Sequence, residues 1–274
     1  MPTPGRAVRS VLLAVQVFDD VDLELTDDGL VLPGDVRVPW PLVRRAVRGA
    51  TAHSASDRAR VSCWLRCVAR LGALPKARLG DVLRPVGLPR GHVLHPGAEW
   101  VREAVLGEAL DLGLGARDID GPDAVTVVPP SVWAAIGVDP ARRWPRARRL
   151  LEEMGALAAT RWALSGDGTL RPMGDCDVTT LLGAMSLRSR LAGTDGGMRA
   201  VSAPMRRRGW TRLSRLDPAF TPAAAMATDG AERGFLRPLL VTADEVVLAG
   251  DGGRTDISLR DPVVERWDAP VLFR

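Results

Sequence analysis

The stretch that decides the fold runs from Gly196 to Ala249 and has the sequence GGMRAVSAPMRRRGWTRLSRLDPAFTPAAAMATDGAERGFLRPLLVTADEVVLA. Residues 198–205 alternate imperfectly between the two faces of an extended chain, which predicts a strand. Pro204 cannot donate a ladder hydrogen bond, so we expect the strand to lie at an edge or to end there. Gly209 is the residue expected to turn the chain after the arginines.

The second half of this stretch predicts one helix and one hairpin. Asp217-Pro218 is typical of a helix start, with Asp217 as the N-cap and Pro218 in the first helical position. The alanine-rich helix that follows should end at Asp229-Gly230. Residues 239–242 and 246–248 predict two strands that a tight turn at 243–245 joins.

The N-terminal part of the chain has a β pattern followed by a helical one. The apolar run at 8–18 predicts a strand. Three short segments then alternate around Asp-Gly and Pro-Gly turns, which predicts a small antiparallel meander at 23–26, 30–32 and 36–38. A helix is expected at 42–48. A second helix, capped by Ser56 or Asp57, is expected to run through Leu71, where apolar residues recur at helical spacing: Val61, Trp64, Leu65, Val68 and Leu71.

Residues 73–97 contain four prolines and several glycines, which predicts a long connecting loop. This loop would separate a domain at 1–72 from a domain at 98–274, and one continuous domain is the alternative. Helices are expected in the second part at 98–112, 131–136, 139–159 and 177–191. Strands are expected there at 125–128, 161–164, 169–171 and 257–259. The predicted fold class is therefore α+β, with the meander and its helices followed by a larger mixed portion with short hairpins.

Composition limits the class of protein. Of the 274 residues, 46% are hydrophobic, which is too many for a disordered chain. No segment approaches the roughly 18 consecutive apolar residues that a membrane span needs, so we expect no membrane partner. Three cysteines are too few for a disulfide framework, and they favour a reducing, cytoplasmic location.

The net charge of +4 conceals two basic islands. Residues 36–90 hold 12 basic and 2 acidic residues, and residues 199–215 hold 6 basic and no acidic residues. Pairing with acidic side chains of the same chain would explain both islands. The alternative is an outward cationic face that binds an acidic partner.

Arginines supply the candidate binding residues. Guanidinium groups grip carboxylates and phosphates through paired hydrogen bonds, and tryptophan can stack on a base or on a guanidinium. The first island contributes Arg44, Arg45 and Arg48, and the second contributes Arg206, Arg207, Arg208, Trp210, Arg212 and Arg215. The favoured hypothesis is a non-enzymatic binding or scaffold protein that engages an acidic protein partner. The alternative is a nucleic-acid-binding protein that uses the same face.

A third hypothesis is a metal-dependent or cysteine-dependent hydrolase. His92 and His95 lie three residues apart, and Cys176 stands between Asp175 and Asp177 at an expected helix start. Zinc needs three or four such ligands, and a nucleophilic cysteine needs a nearby base. No recognised spacing joins these residues, and the chain has neither a phosphate-binding loop nor a dinucleotide fingerprint. No cofactor is therefore expected.

Overall fold

A computed structural model describes residues 5–107, 109–122, 124–193 and 197–242 and the strand at 246–248. Contacts within the chain form two compact units. Unit 1 comprises Met1–Leu83 and Leu114–Arg143, and unit 2 comprises Arg84–Gly113 and Trp144–Arg274. The fold is α+β, with an N-terminal three-stranded antiparallel sheet followed by helices, as predicted. The predicted domain ranges 1–72 and 98–274 stay a prediction.

Unit 1 begins with helix α1, Arg6–Phe18, where a strand was predicted at 8–18. The prediction was wrong because this short apolar run, interrupted by Arg9, Ser10 and Gln16, has no clear period of either kind. In the structure only Val11, Leu12 and Val15 are buried, at the spacing of one helical face. Helix α1 packs against the helix at 55–72, so its apolar stripe has a partner.

The predicted meander follows and is confirmed. Its strands are β1, Glu24–Leu25, β2, Gly29–Leu32, and β3, Val36–Pro39, paired in that order. Helices α2, Trp40–Val47, and α3, Ala55–Gly72, come next. Helix α3 starts earlier than predicted, because the cap is Ser54, which accepts the N–H of Asp57, and not Ser56 or Asp57. Its five predicted apolar positions are all buried.

The predicted loop at 73–97 is largely ordered secondary structure. It contains a 3-10 helix, Lys76–Arg78, helix α4, Leu79–Val82, and strand β4, Leu83–Pro89. Proline did not prevent the strand, since Pro85 and Pro89 lie within β4 or at its end. The irregular parts are therefore limited to residues 73–75 and 90–97.

The predicted helix at 98–112 is also wrong. The segment forms a short 3-10 helix, Ala98–Trp100, strand β5, Glu103–Val105, and the start of strand β6, Leu110–Arg117. Seven of the eight β6 residues are buried, so the strand lacks the alternation that would have revealed it. Gly113 is required in β6, because a Cβ atom there would lie 2.3 Å from the Trp100 ring.

The strand predicted at 125–128 and the helix predicted at 131–136 are confirmed in the remaining part of unit 1. The last residues of β6 pair antiparallel with β7, Val125–Val127, which is the strand predicted at 125–128. Helix α5, Pro130–Ile136, follows and ends at Gly137, whose φ of 63° is left-handed. A 3-10 helix, Pro140–Arg142, is capped by Asp139.

Unit 2 contains the long helix α6, Trp144–Ser165, which includes most of the predicted helix at 139–159. It also includes residues 161–164, so the hairpin predicted from 161–164 and 169–171 is wrong. Strand β8, Thr169–Leu170, pairs with a strand at 208–210 instead. Gly155 allows a close approach within this unit, because a Cβ there would lie 2.3 Å from Ala184 Cβ.

The predicted helix at 177–191 is two helices. Asp177 caps α7, Val178–Leu181, and α8, Met185–Ala192, begins after Gly183-Ala184. Strand β9, Met198–Met205, and strand β10, Arg208–Trp210, form a hairpin that turns at Arg206-Arg207 rather than at Gly209.

The remaining elements of unit 2 are helix α9, Phe220–Ala227, and strands β11, Leu239–Thr242, and β12, Val246–Leu248. The predicted hairpin of β11 and β12 is confirmed. The sheet order is β12-β11-β9-β10-β8, and the strand predicted at 257–259 lies outside the described residues. Leu151, Leu187, Val201 and Leu239 belong to one buried core in this unit.

Candidate binding surfaces

Arg206 is held inside unit 2 by Asp177. Its Nε and Nη2 lie 2.8 Å and 2.7 Å from Asp177 Oδ2, and only 13% of the Arg206 side chain is exposed. The backbone of Arg206 is also engaged, since its carbonyl accepts the N–H of Val178 at 2.7 Å and its N–H donates to Glu232. Arg206 was predicted to face a partner, but the structure gives this guanidinium an internal carboxylate.

The next arginines of this island lie at the surface. Arg207 is 76% exposed, and its Nε is 3.5 Å from a carboxylate oxygen of Glu232. Arg208 is exposed, and its guanidinium carbon lies 5.8 Å from the centre of the Trp210 ring. Phe220 meets the same ring edge-to-face at 5.0 Å. The ring of Trp210 is therefore fixed by a phenyl group and covered by a cation.

Arg212 extends this surface by two residues. Its side chain is exposed and its stem passes over Gly168, where a Cβ atom would lie 2.6 Å from Arg212 Cγ. We call Arg208, Trp210 and Arg212 the Arg–Trp strip. Arg215 ends a 3-10 helix, Leu213–Arg215, and its side chain lies outside the described part of the chain.

The other basic island lies in unit 1. Arg44 and Arg45 are in the last turn of α2, Arg48 follows it, and both Arg45 and Arg48 are exposed. Arginines of the neighbouring α3 pair with acidic residues of the same unit: Arg58 with Asp19 at 3.7 Å, Arg60 with Asp57 at 3.9 Å and Arg66 with Asp120 at 3.3 Å. Internal pairing thus accounts for much of this island's charge. A shared face formed by both islands stays a prediction.

His95 has a defined structural role. Its Nδ1 accepts the N–H of Gly97 at 3.2 Å, so in the neutral ring Nε2 carries the proton. That Nε2 lies 3.1 Å from Asp111 Oδ2, to which it donates. Trp100 packs edge-to-face on the same ring at 5.2 Å. Both ring nitrogens are therefore engaged by hydrogen bonds within unit 2.

His92 is partly buried in unit 2. Its Nδ1 accepts the N–H of Leu94 at 3.1 Å, and its Nε2 is buried without a well-formed hydrogen bond to the described residues. Burial and the positive charge of Arg206 lower the pKa of this imidazole, while the backbone of Arg233 and the charge of Asp177 partly oppose that shift. His92 is therefore a neutral side chain at pH 7.

Cys176 is fully buried in the core of unit 2. Burial, together with the charges of Asp177 and Asp175, raises the pKa of its thiol to about 12. A thiol with this pKa stays protonated at neutral pH and is a poor nucleophile. Among the described residues, no group of three His, Cys, Asp or Glu side chains could hold a metal ion. The hydrolase hypothesis stays a prediction, and the buried, protonated thiol of Cys176 does not support it.

Sequence reasoning missed a cleft in unit 2. It has a volume of about 640 Å³ and is lined by three segments, one at 89–93, one at Gly107 and Ala109, and one at Gly230 and 233–237. No local signal in the sequence indicates that these segments meet, because the third lies far from the other two in the chain.

Comparisons with protein-family models, with curated proteins and with solved structures found no match. Within the described part of the chain, no helix combines the length and the apolar character needed to span a bilayer.

Proposed function

We propose that the protein is a non-enzymatic binding protein that engages an acidic protein partner through the Arg–Trp strip of unit 2. The observation that carries this proposal is the position of Arg208 over the ring of Trp210, 5.8 Å from its centre. A contact with a neutral ring positions the guanidinium without neutralising its charge. A carboxylate of the partner can then bind the Arg208 guanidinium at a lower cost in conformational entropy, because the ring contact already restricts this side chain.

The geometry favours a protein partner over a nucleic acid. A base stacks on an open aromatic face, but Arg208 lies over the Trp210 ring and Phe220 packs against it. Trp210 is also half-buried. The guanidinium groups of Arg208 and Arg212 are therefore the accessible part of the strip. Their paired donors fit carboxylates and phosphates alike, so it is the covered ring of Trp210 that favours a protein partner.

The test is the binding of a fluorescein-labelled polyglutamate peptide, followed by fluorescence anisotropy at increasing salt. We expect the Arg208→Ala/Arg212→Ala double variant to bind about tenfold more weakly, because two charge-assisted contacts are lost. Arg142→Ala is the matched control, since Arg142 is 87% exposed but lies in unit 1. Equal affinity of the double variant and the native protein would refute the proposal.

A labelled single-stranded oligonucleotide forms the second arm. If the oligonucleotide binds more tightly than polyglutamate, with a steep salt dependence that the double variant reduces, then the nucleic-acid alternative is correct. We expect the oligonucleotide to bind more weakly.

A further inference from the structure

We infer that the cleft of unit 2 is a binding site for a small molecule with an oxyanion, a carboxylate or a phosphate, on an apolar body. We call it the arginine cleft and define it by Arg90, Arg233 and Arg237, which all line it. Its volume of about 640 Å³ is within the range of about 300–1,000 Å³ that is usual for small-molecule sites. The site shares no residue with the Arg–Trp strip, so it does not depend on the function proposed above.

The walls of the cleft are fixed by backbone hydrogen bonds. On one side, residues 232–235 run along β9, since Gly234 N–H donates to Pro204 and Phe235 N–H donates to Ala203, each at 2.8 Å. Gly234 is required for this approach, because a Cβ would lie 2.1 Å from the Ala203 carbonyl oxygen. On the other side, Arg90 N–H donates to Ala109 at 2.9 Å. The cleft is thus preformed, which lowers the ordering cost of binding.

Arg233 is a rigid cation in this cleft. Its Nε donates to the Ala225 carbonyl at 2.9 Å and its Nη2 donates to the Thr228 carbonyl at 3.2 Å. These carbonyls belong to the C-terminal end of α9, where a positive charge is favourable. The Nη1 donors of Arg233 have no partner among the described residues and are left for a ligand.

The charged side chains among the described residues that line the cleft are all arginines. Three arginines contribute to its lining, and none of the described lining residues is acidic. The carboxylate of Asp111, which is 3.9 Å from Arg90 Nε, is buried and also accepts the hydrogen bond of His95. Its charge is therefore shared between two partners. A cationic lining of this kind selects an anion.

Apolar side chains at the same cleft indicate that the anionic group of the ligand is attached to an apolar body. Val93 and Leu236 line the cleft and are 69% and 50% exposed, and Phe235 lines it as well. An inorganic ion would pair with the arginines but would leave these apolar side chains exposed to water. An apolar body covers them and gains about 25 cal/mol for each Å² that it buries. The two features together fit an amphipathic anion.

The test is isothermal titration of the full chain with octanoate, octyl phosphate, octanol and inorganic phosphate. We expect one site per chain for the two octyl anions, with affinities at least about tenfold higher than for octanol or inorganic phosphate. Stronger binding of either octyl anion identifies which oxyanion is preferred. Equal binding of octanol and octanoate would overturn the inference, as would binding only to phosphatidylserine vesicles.

Variants locate the site. Arg90→Gln and Arg237→Gln remove charge from side chains at the solvent side of the cleft, so each should weaken octanoate binding by about threefold to tenfold. The Tm of each variant is measured as well, because Arg90 also lies near the buried carboxylate of Asp111. Leu236→Asn should weaken octanoate but not inorganic phosphate. Arg207→Gln is the matched control, because Arg207 is exposed but does not line the cleft. Unchanged affinity in the Arg90→Gln/Arg237→Gln double variant would show that the anion binds elsewhere.

Discussion

Asp177 joins the start of helix α7 to the turn of the β9–β10 hairpin through Arg206. One carboxylate oxygen, Oδ1, accepts the N–H of Thr180 at 2.8 Å as the helix cap. The other, Oδ2, pairs with two nitrogens of Arg206, whose carbonyl accepts the N–H of Val178. Two segments that are distant in sequence are therefore connected by one carboxylate and one guanidinium.

The substitution Arg206→Ala should lower the free energy of unfolding by about 2–3 kcal/mol, because it leaves Asp177 largely buried without its cation. Arg207→Ala is the matched control at the next residue. It should cost less than about 1 kcal/mol, since Arg207 and Glu232 are largely exposed to water. Urea denaturation of both variants measures the difference.

A double-mutant cycle with Asp177→Asn separates the ion pair from the helix cap, because asparagine retains the cap and loses the charge. A coupling free energy near zero between the two positions would show that the pair is not a stabilising contact. In that case Arg206 would regain its role as a candidate for partner binding.

His92 should make stability depend on pH. Burial and the charge of Arg206 lower the pKa of the folded imidazole, so below the ordinary histidine pKa of about 6.5 the unfolded chain binds a proton more readily than the folded one. The free energy of unfolding should therefore fall as the pH drops below about 6.5, until the folded pKa is passed. Arg233, Arg206 and Asp177 are the charged groups that act on this ring.

The measurement compares urea denaturation at about pH 7.5 and about pH 5.5 for the native protein and the His92→Gln variant. The variant should lose less stability over this interval, because it lacks the proton uptake of His92. His53→Gln is the control, since His53 is an exposed side chain in unit 1. An identical loss in native protein and His92→Gln would exclude His92 as the source.

The helices and strands that could be predicted from the sequence are those with one buried face and one exposed face. Helix α3 buries one stripe, Val61 to Leu71, and exposes the arginines between, so its period of 3.6 is visible in the sequence. The hairpin of β11 and β12 could be predicted because two short runs that contain β-branched residues are separated by only a few residues. Strand β6 was missed for the opposite reason, since it is buried on both faces and Leu106, Leu110 and Leu114 mimic helical spacing.

The candidate site could be predicted less well, because its properties depend on contacts between distant residues. The run Arg206-Arg207-Arg208 is uniform in sequence, yet the structure pairs the first with Asp177, the second with Glu232 and the third with Trp210. The arginine cleft combines segments that are more than a hundred residues apart. The sequence gives the number of arginines in each segment, but it does not indicate which of them face a common cavity.

Alkylation should distinguish the three cysteines. A hydrogen bond from the Cys67 thiol and the charge of Arg66 lower the pKa of Cys63, which is partly exposed, whereas the bond to Cys63 and burial raise the pKa of Cys67. Cys176 is buried, and its pKa of about 12 leaves roughly one thiol in ten thousand ionised at about pH 8. Mass spectrometry after brief treatment of the native protein with iodoacetamide should therefore find Cys63 modified first and Cys176 only after denaturation. Rapid modification of native Cys176 would mean that its thiol is accessible and ionised, and it would restore the cysteine-hydrolase hypothesis.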